Sequence, residues 1–137
     1  FIQIIIGAFV SGMDAGKIYN SWPLMGTTYF PNDNSVINLF KLSVFSDPSL
    51  VQFIHRNLAY LITIYYIFML YNVYKNKIYD LYKSINILGI FIITQIILGI
   101  FTIIYGAQIF IASMHQLSSI FLVSSSIYFF FLNSKTN

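Results

Sequence analysis

Three long apolar runs constrain this chain more than anything else in it: Leu50 to Tyr74, Ser84 to Tyr105 and Ile109 to Leu132. Each exceeds the roughly 20 residues with which a helix crosses a bilayer. A fourth run, Phe1 to about Met13, is shorter than a span. Because Phe1 already lies inside it, we expect the chain to be a fragment of a longer protein, with the start of this helix upstream. With 58% hydrophobic, 19% aromatic and 8% charged residues, the chain has far more apolar surface than a soluble domain of its length could enclose. The fold expected is an all-α membrane protein: a four-transmembrane-helix bundle that forms a single domain over residues 1–137. The absence of cysteine removes disulfides, zinc-thiolate sites and iron–sulfur ligation. A net charge of +3, scattered over the ends of the apolar runs, points to a lipid bilayer as partner and away from nucleic acid.

The connections are unequal. Residues 20–48 form a long loop rich in Asn, Asp, Ser, Pro and Gly, whereas the other two links are short. Long loops in compact domains are usually lids or binding elements. Lys75, Lys77 and Lys83 crowd the second link and Lys135 the tail, against Lys17 and Lys41 on the other side. That bias favours both termini in the cytoplasm or mitochondrial matrix and an extracytoplasmic long loop. Tyr19, Trp22, Tyr29 and Tyr105 then form an outer aromatic belt, and Tyr71, Tyr74, Tyr79 and Tyr82 an inner one. At the end of the first helix, Asp14 opposes the macrodipole and calls for a partner such as Lys17, while Gly16 suits a helix C-cap.

A repeat relates the two ends of the chain. Gln3-Ile-Ile-Ile-Gly-Ala-Phe9 in the first helix matches Gln95-Ile-Ile-Leu-Gly-Ile-Phe101 in the third, and each of these helices precedes one that carries a histidine early. The bundle therefore reads as two pseudo-symmetric helical hairpins. Gln95, Gly99, Thr102 and Gly106 fall on one helical stripe, as do Gln3, Gly7, Val10 and Asp14. Small residues on such stripes let backbones, or a flat ligand, come close.

The two histidines, His55 and His115, stand in almost unbroken apolar sequence with no acidic residue in helical reach. An imidazole there costs several kcal/mol unless it is hydrogen-bonded or ligates something. His55 follows Pro48 by seven residues and His115 follows Ile109 by six, so both sit about 9 to 10 Å below the outer helix ends. Two imidazoles at one depth suit the iron of a haem, whose macrocycle needs an apolar slot between helices. Zinc or copper would recruit further ligands, and the chain has no third histidine, no cysteine and no glutamate. Arg56 is a candidate partner for a haem propionate, or else a cation that snorkels to the headgroups. Gln116, beside His115, is a weaker candidate for an amide hydrogen bond to the cofactor. Trp22-Pro23-Leu24-Met25 is expected to fold back as a cover, with Asp14, Tyr19 and Asn20 at the mouth. Two other functions fit the same residues: a b-type cytochrome that carries electrons, and a transporter or assembly factor whose histidines relay protons.

Four blocks carry a resemblance: Gly7-Ala-Phe-Val-Ser-Gly-Met-Asp-Ala-Gly-Lys-Ile-Tyr-Asn-Ser-Trp-Pro-Leu-Met-Gly26, Asn38-Leu-Phe40, Val51-Gln-Phe-Ile-His-Arg56 and Met114-His-Gln116. Over nearly its whole length the chain resembles the carboxyl-terminal half of haem A synthases. The resemblance implies half of an eight-helix protein of the bacterial or mitochondrial inner membrane. The complete enzyme is an oxidoreductase that converts a methyl group of its substrate haem O to the formyl group of haem A, for cytochrome oxidase assembly. It also implies that His55 and His115 are axial ligands of a haem b. The partners it implies are an amino-terminal half with its own histidines and a glutamate near the substrate haem, an electron donor, haem O synthase and further copies of the protein. A chain without glutamate is expected not to turn over alone.

Overall fold

A computed structural model describes residues 1–136; Asn137 lies outside them. Four helices make up the fold, α1 (Ile2–Gly12), α2 (Pro48–Lys75), α3 (Tyr79–Ile104) and α4 (Ile109–Thr136), and among the described residues there is no β-strand. Helices α2, α3 and α4 are each long and apolar enough to cross a membrane, and α1 is a shorter apolar helix. The expected helical membrane bundle is thus the one observed. Helix α1 packs on α2 and α3 on α4, with α2 joining the two hairpins through α3. Between α1 and α4 a groove stays open.

Local chemistry explains the helix starts. Asp47 is the N-cap of α2, its carboxylate accepting from the Leu50 amide at 3.0 Å, and Pro48 follows in the first turn, where its missing N–H is no loss. Helix α3 begins at Tyr79, five residues before the apolar run, with Asp80 in its first turn beside the positive end of the dipole. The end of α1 differs from the sequence expectation. Asp14 itself takes the left-handed conformation, with φ 53°, and its carboxylate pairs with Lys17 at 2.8 Å. Gly16 is not the cap. It is buried in a short 3-10 turn, Ala15–Lys17, where a Cβ would stand 3.2 Å from that of Ala107, so its bareness lets the loop approach the α3–α4 link.

The core lies toward the lysine-rich end, where Val73 of α2, Leu81, Ile85, Leu88 and Ile92 of α3 and Phe129 of α4 are buried together. Between membrane-spanning helices such contacts stabilise through close packing rather than through removal of apolar surface from water. Gly89 makes room there: a Cβ on it would fall 2.0 Å from the Tyr66 hydroxyl, which donates to the Ile85 carbonyl at 3.3 Å. Tyr74 stacks on Tyr82 with ring centroids 4.3 Å apart, and Tyr79 lies 5.2 Å from Tyr82, so three of the four tyrosines expected in the inner belt cluster at this end. Residues such as Ile64, Phe68, Ile90, Ile93, Ile120 and Phe130 are exposed around the bundle, the surface a bilayer would cover. A second set of buried residues, Ala15, Met25, Leu50, Val51 and Gln52, lies at the opposite end, above the histidines.

Candidate functional site

Two seats of the same design occupy the upper half of the bundle. In the first, the Gln3 amide of α1 donates to the His55 carbonyl of α2 at 3.1 Å. One turn further along α1, a Cβ on Gly7 would stand 3.2 Å from Cε1 of the His55 ring, a contact that only a glycine accommodates without displacing the ring. In the second, the Gln95 amide of α3 donates to the His115 carbonyl of α4 at 3.0 Å, and a Cβ on Gly99 would stand 3.2 Å from Cε1 of the His115 ring. In each seat Nδ1 of the imidazole is buried without a hydrogen-bond partner. The repeat seen in the sequence thus becomes a repeat of side-chain geometry. One difference separates the seats. The Gln3 amide nitrogen also lies 3.3 Å from His55 Nε2, whereas the Gln95 amide donates to the Ser118 hydroxyl, which itself donates to the His115 carbonyl at 3.0 Å.

Arg56 is placed differently from the sequence expectation. Its side chain is buried, with Nη1 donating to the carbonyls of Ser21 and Leu24 at 2.9 and 3.3 Å and Nη2 to that of Tyr19 at 2.9 Å. Three of its five N–H donors are therefore taken by the loop, and Nε has no partner. Gln52, one turn earlier, donates to the same Tyr19 carbonyl at 3.1 Å. The physical reason is local. A loop returning over α2 presents carbonyls that must be satisfied, and a guanidinium has five donors with which to meet them. Gln116 is exposed on α4 and, with Ile4, Ser113, Leu117, Ile120 and Val123, lines the groove of about 680 Å³ between α1 and α4.

The loop does fold back. Trp22 Nε1 donates to the Tyr60 hydroxyl at 3.1 Å, Met25 is buried, and Asn20 bridges the Gly16 and Ile103 carbonyls at 3.1 and 3.0 Å, tying the loop to the end of α3. Asp33 pins it to the start of α2, accepting from Ser49 at 2.6 Å and from Tyr19 at 3.0 Å. Burial pushes the Asp33 carboxyl up, but hydrogen bonds from Ser49, Tyr19 and Asn34 outweigh that and hold it below the ordinary carboxylate range. Burial and the bond to Asp33 raise the Tyr19 phenol in turn.

Sequence reasoning missed three site residues as contacts: Gln3 and Gln95, noted only as members of a stripe, and Gln52. A signal was present, since a glutamine four residues before a glycine, twice, on helices that precede histidine-bearing helices, is unusual in apolar sequence. Among the described residues, no group of three or more His, Cys, Asp or Glu side chains gathers as a metal cluster. A haem needs none, since its iron accepts imidazole as an axial ligand, and each of these two imidazoles keeps a buried ring nitrogen without a partner.

Known proteins place the chain in a family. The chain is 46% identical over 136 residues to the "Heme A synthase" of Pelagibacter ubique (strain HTCC1062), a match that takes in 99% of this chain and 39% of the relative. The corresponding protein of Rickettsia felis is 39% identical over 132 residues, 96% of this chain and 39% of its own length, and that of Rickettsia prowazekii is 40% identical over 136 residues, 98% and 40%. The chain thus spans about two fifths of the length of these relatives. No solved structure matches it. Its spanning helices and bacterial relatives make it a multi-pass protein of the bacterial inner membrane. A family model described as cytochrome oxidase assembly protein matches residues 1–127, and the chain accordingly belongs to that family, COX15-CtaA.

Proposed function

We propose that this chain is the carboxyl-terminal, haem-holding part of a haem A synthase, with His55 and His115 as the axial ligands of a haem b. The observation that carries the reading is the matched pair of seats: two imidazoles, each on a bare glycine under a glutamine, each with a buried ring nitrogen lacking a partner. When bound, such a haem supplies an iron centre that takes up and releases one electron at a time. What the chain itself contributes is a low-dielectric slot, two oriented imidazoles and a loop that excludes water from the outer side. Arg56 serves here chiefly by holding that loop, with Nε among the donors left for a carboxylate, and Gln116 offers its amide from the groove.

In the whole protein the reaction is the oxidation of the haem O methyl group to the formyl group of haem A, and the chain acts within it as a domain of four helices with the long loop outside. The glutamate near the substrate haem belongs to the other half, since this chain has none, and the half alone does not turn over. An electron donor, haem O synthase and further copies of the protein are its proposed partners.

The test is a reduced-minus-oxidised absorbance spectrum of the chain in mild detergent with haem supplied, beside His55→Ala and His115→Ala. A low-spin b-type signal that disappears in either variant is the expected outcome. An intact chain with no signal would overturn the haem reading in favour of a membrane factor whose histidines serve proton transfer. Retention of the signal in both variants would overturn the ligand assignment.

A further inference from the structure

We infer that Gln3 and Gln95 are positioning residues: each fixes the orientation of one imidazole, acting together with the glycine one turn further along its own helix. The inference rests on the haem reading for its purpose, though not for its geometry. An amide side chain in the apolar interior must find a partner, and each glutamine finds the same one, the main-chain carbonyl of the histidine on the facing helix, at 3.1 Å for Gln3 and 3.0 Å for Gln95. That bond fixes the height of the neighbouring helix at the histidine itself. With the height fixed, the ring edge falls against Gly7 or Gly99, where in both cases a Cβ would lie 3.2 Å from Cε1. Amide and glycine are four residues apart and so share a helix face, one holding the histidine's backbone and the other receiving its ring.

Ordinary helix packing accounts for a glycine at a close crossing, but it does not require the glutamine, and it does not require the pair to recur. The two copies occur in hairpins whose connections differ greatly in length, residues 13–47 in one and 105–108 in the other. Arrival at the same carbonyl and the same ring atom by both routes marks the arrangement as a property of the seats. Partners of metal-ligating histidines that lie outside the coordination sphere commonly set ring orientation and ligand strength. Here that part is played through the histidine's backbone in both seats, with a further approach of the Gln3 amide to His55 Nε2 at 3.3 Å in the first, while Nδ1 of neither ring has a partner.

The test uses the protein in lipid bilayers, with Gln3→Leu, Gln95→Leu, Gly7→Ala and Gly99→Ala beside the unaltered sequence. Nitrogen-15 spectra of labelled histidine are recorded first without haem. Each variant should move the ring signals of its own histidine, His55 for the first-helix changes and His115 for the third-helix ones, and leave the other's in place. With haem added, the same variants should bind it about 10-fold more weakly and show altered low-spin g values by electron paramagnetic resonance. Gln3→Met and Gln95→Met, closer in length to glutamine, carry the same comparison if a leucine variant fails to accumulate. Unchanged ring signals in the glutamine variants would overturn the inference, leaving the amides as helix glue alone. Shifted ring signals together with no haem signal in the unaltered protein would instead overturn the haem reading and leave the positioning role standing.

Discussion

Arg56 is a buried cation whose neighbours are carbonyl dipoles, from Tyr19, Ser21 and Leu24, rather than a carboxylate. Such an arrangement holds only while the loop stays folded back, because the charge needs those dipoles as much as the carbonyls need its donors. Arg56→Leu should therefore destabilise the protein by about 2 kcal/mol, read as a lowered midpoint of thermal unfolding in detergent, and should open the loop over residues 19–26 to protease. Arg56→Lys, with its three donors on a single nitrogen, should fall between. Asp33 makes the loop sensitive to acid. Its carboxyl titrates below the ordinary range in the folded chain, so its contribution is present above the unfolded value, about 3.9, and is lost as the pH falls through the folded value. Protease access to the loop should rise on acidification below about pH 4, and Asp33→Asn should remove that dependence. The sequence showed that Arg56 sits beside a histidine in apolar surroundings; it could not show which acceptor the guanidinium takes, since the carbonyls come from a loop more than thirty residues away.

The helices were legible as elements because apolar runs of spanning length leave few alternatives, and α1 was visible as a shorter apolar run. Their ends were less so. Helix α3 begins among polar residues that hydropathy alone would assign to a link, and α1 stops with Asp14 in the left-handed region while a nearby glycine serves another contact. Gly89 is instructive at this scale. In the sequence it is a mild interruption of an isoleucine-rich helix, yet in the fold it is where Tyr66 of α2 crosses α3. Gly89→Ala should cost about 1 to 3 kcal/mol through overpacking, because a rigid phenol ring rather than a flexible chain end must move. Combining it with Tyr66→Leu should remove most of that added cost, and a cycle of unfolding midpoints for the two single variants and the double variant measures it. Additive effects would show that the ring and the helix do not compete for this space.

For the molecule as a whole, the sequence repeat foretold two hairpins, each with a histidine early in its second helix. What it could not foretell was the mode of pairing, since the glutamine-to-carbonyl bonds depend on the height at which facing helices meet. The finished bundle is closed at the lysine-rich end by side chains from three helices and left open between α1 and α4 at the level of Gln116. The unequal connections have a consequence of their own. Four residues between α3 and α4 seat His115 as well as the thirty-five between α1 and α2 seat His55, so the long segment is not what sets the depth of its histidine. Between its anchor points, Tyr19 to Leu24 on Arg56 and Asp33 on Ser49, the segment can therefore change in length without moving that depth, while the anchors themselves stay bound to the helix beneath.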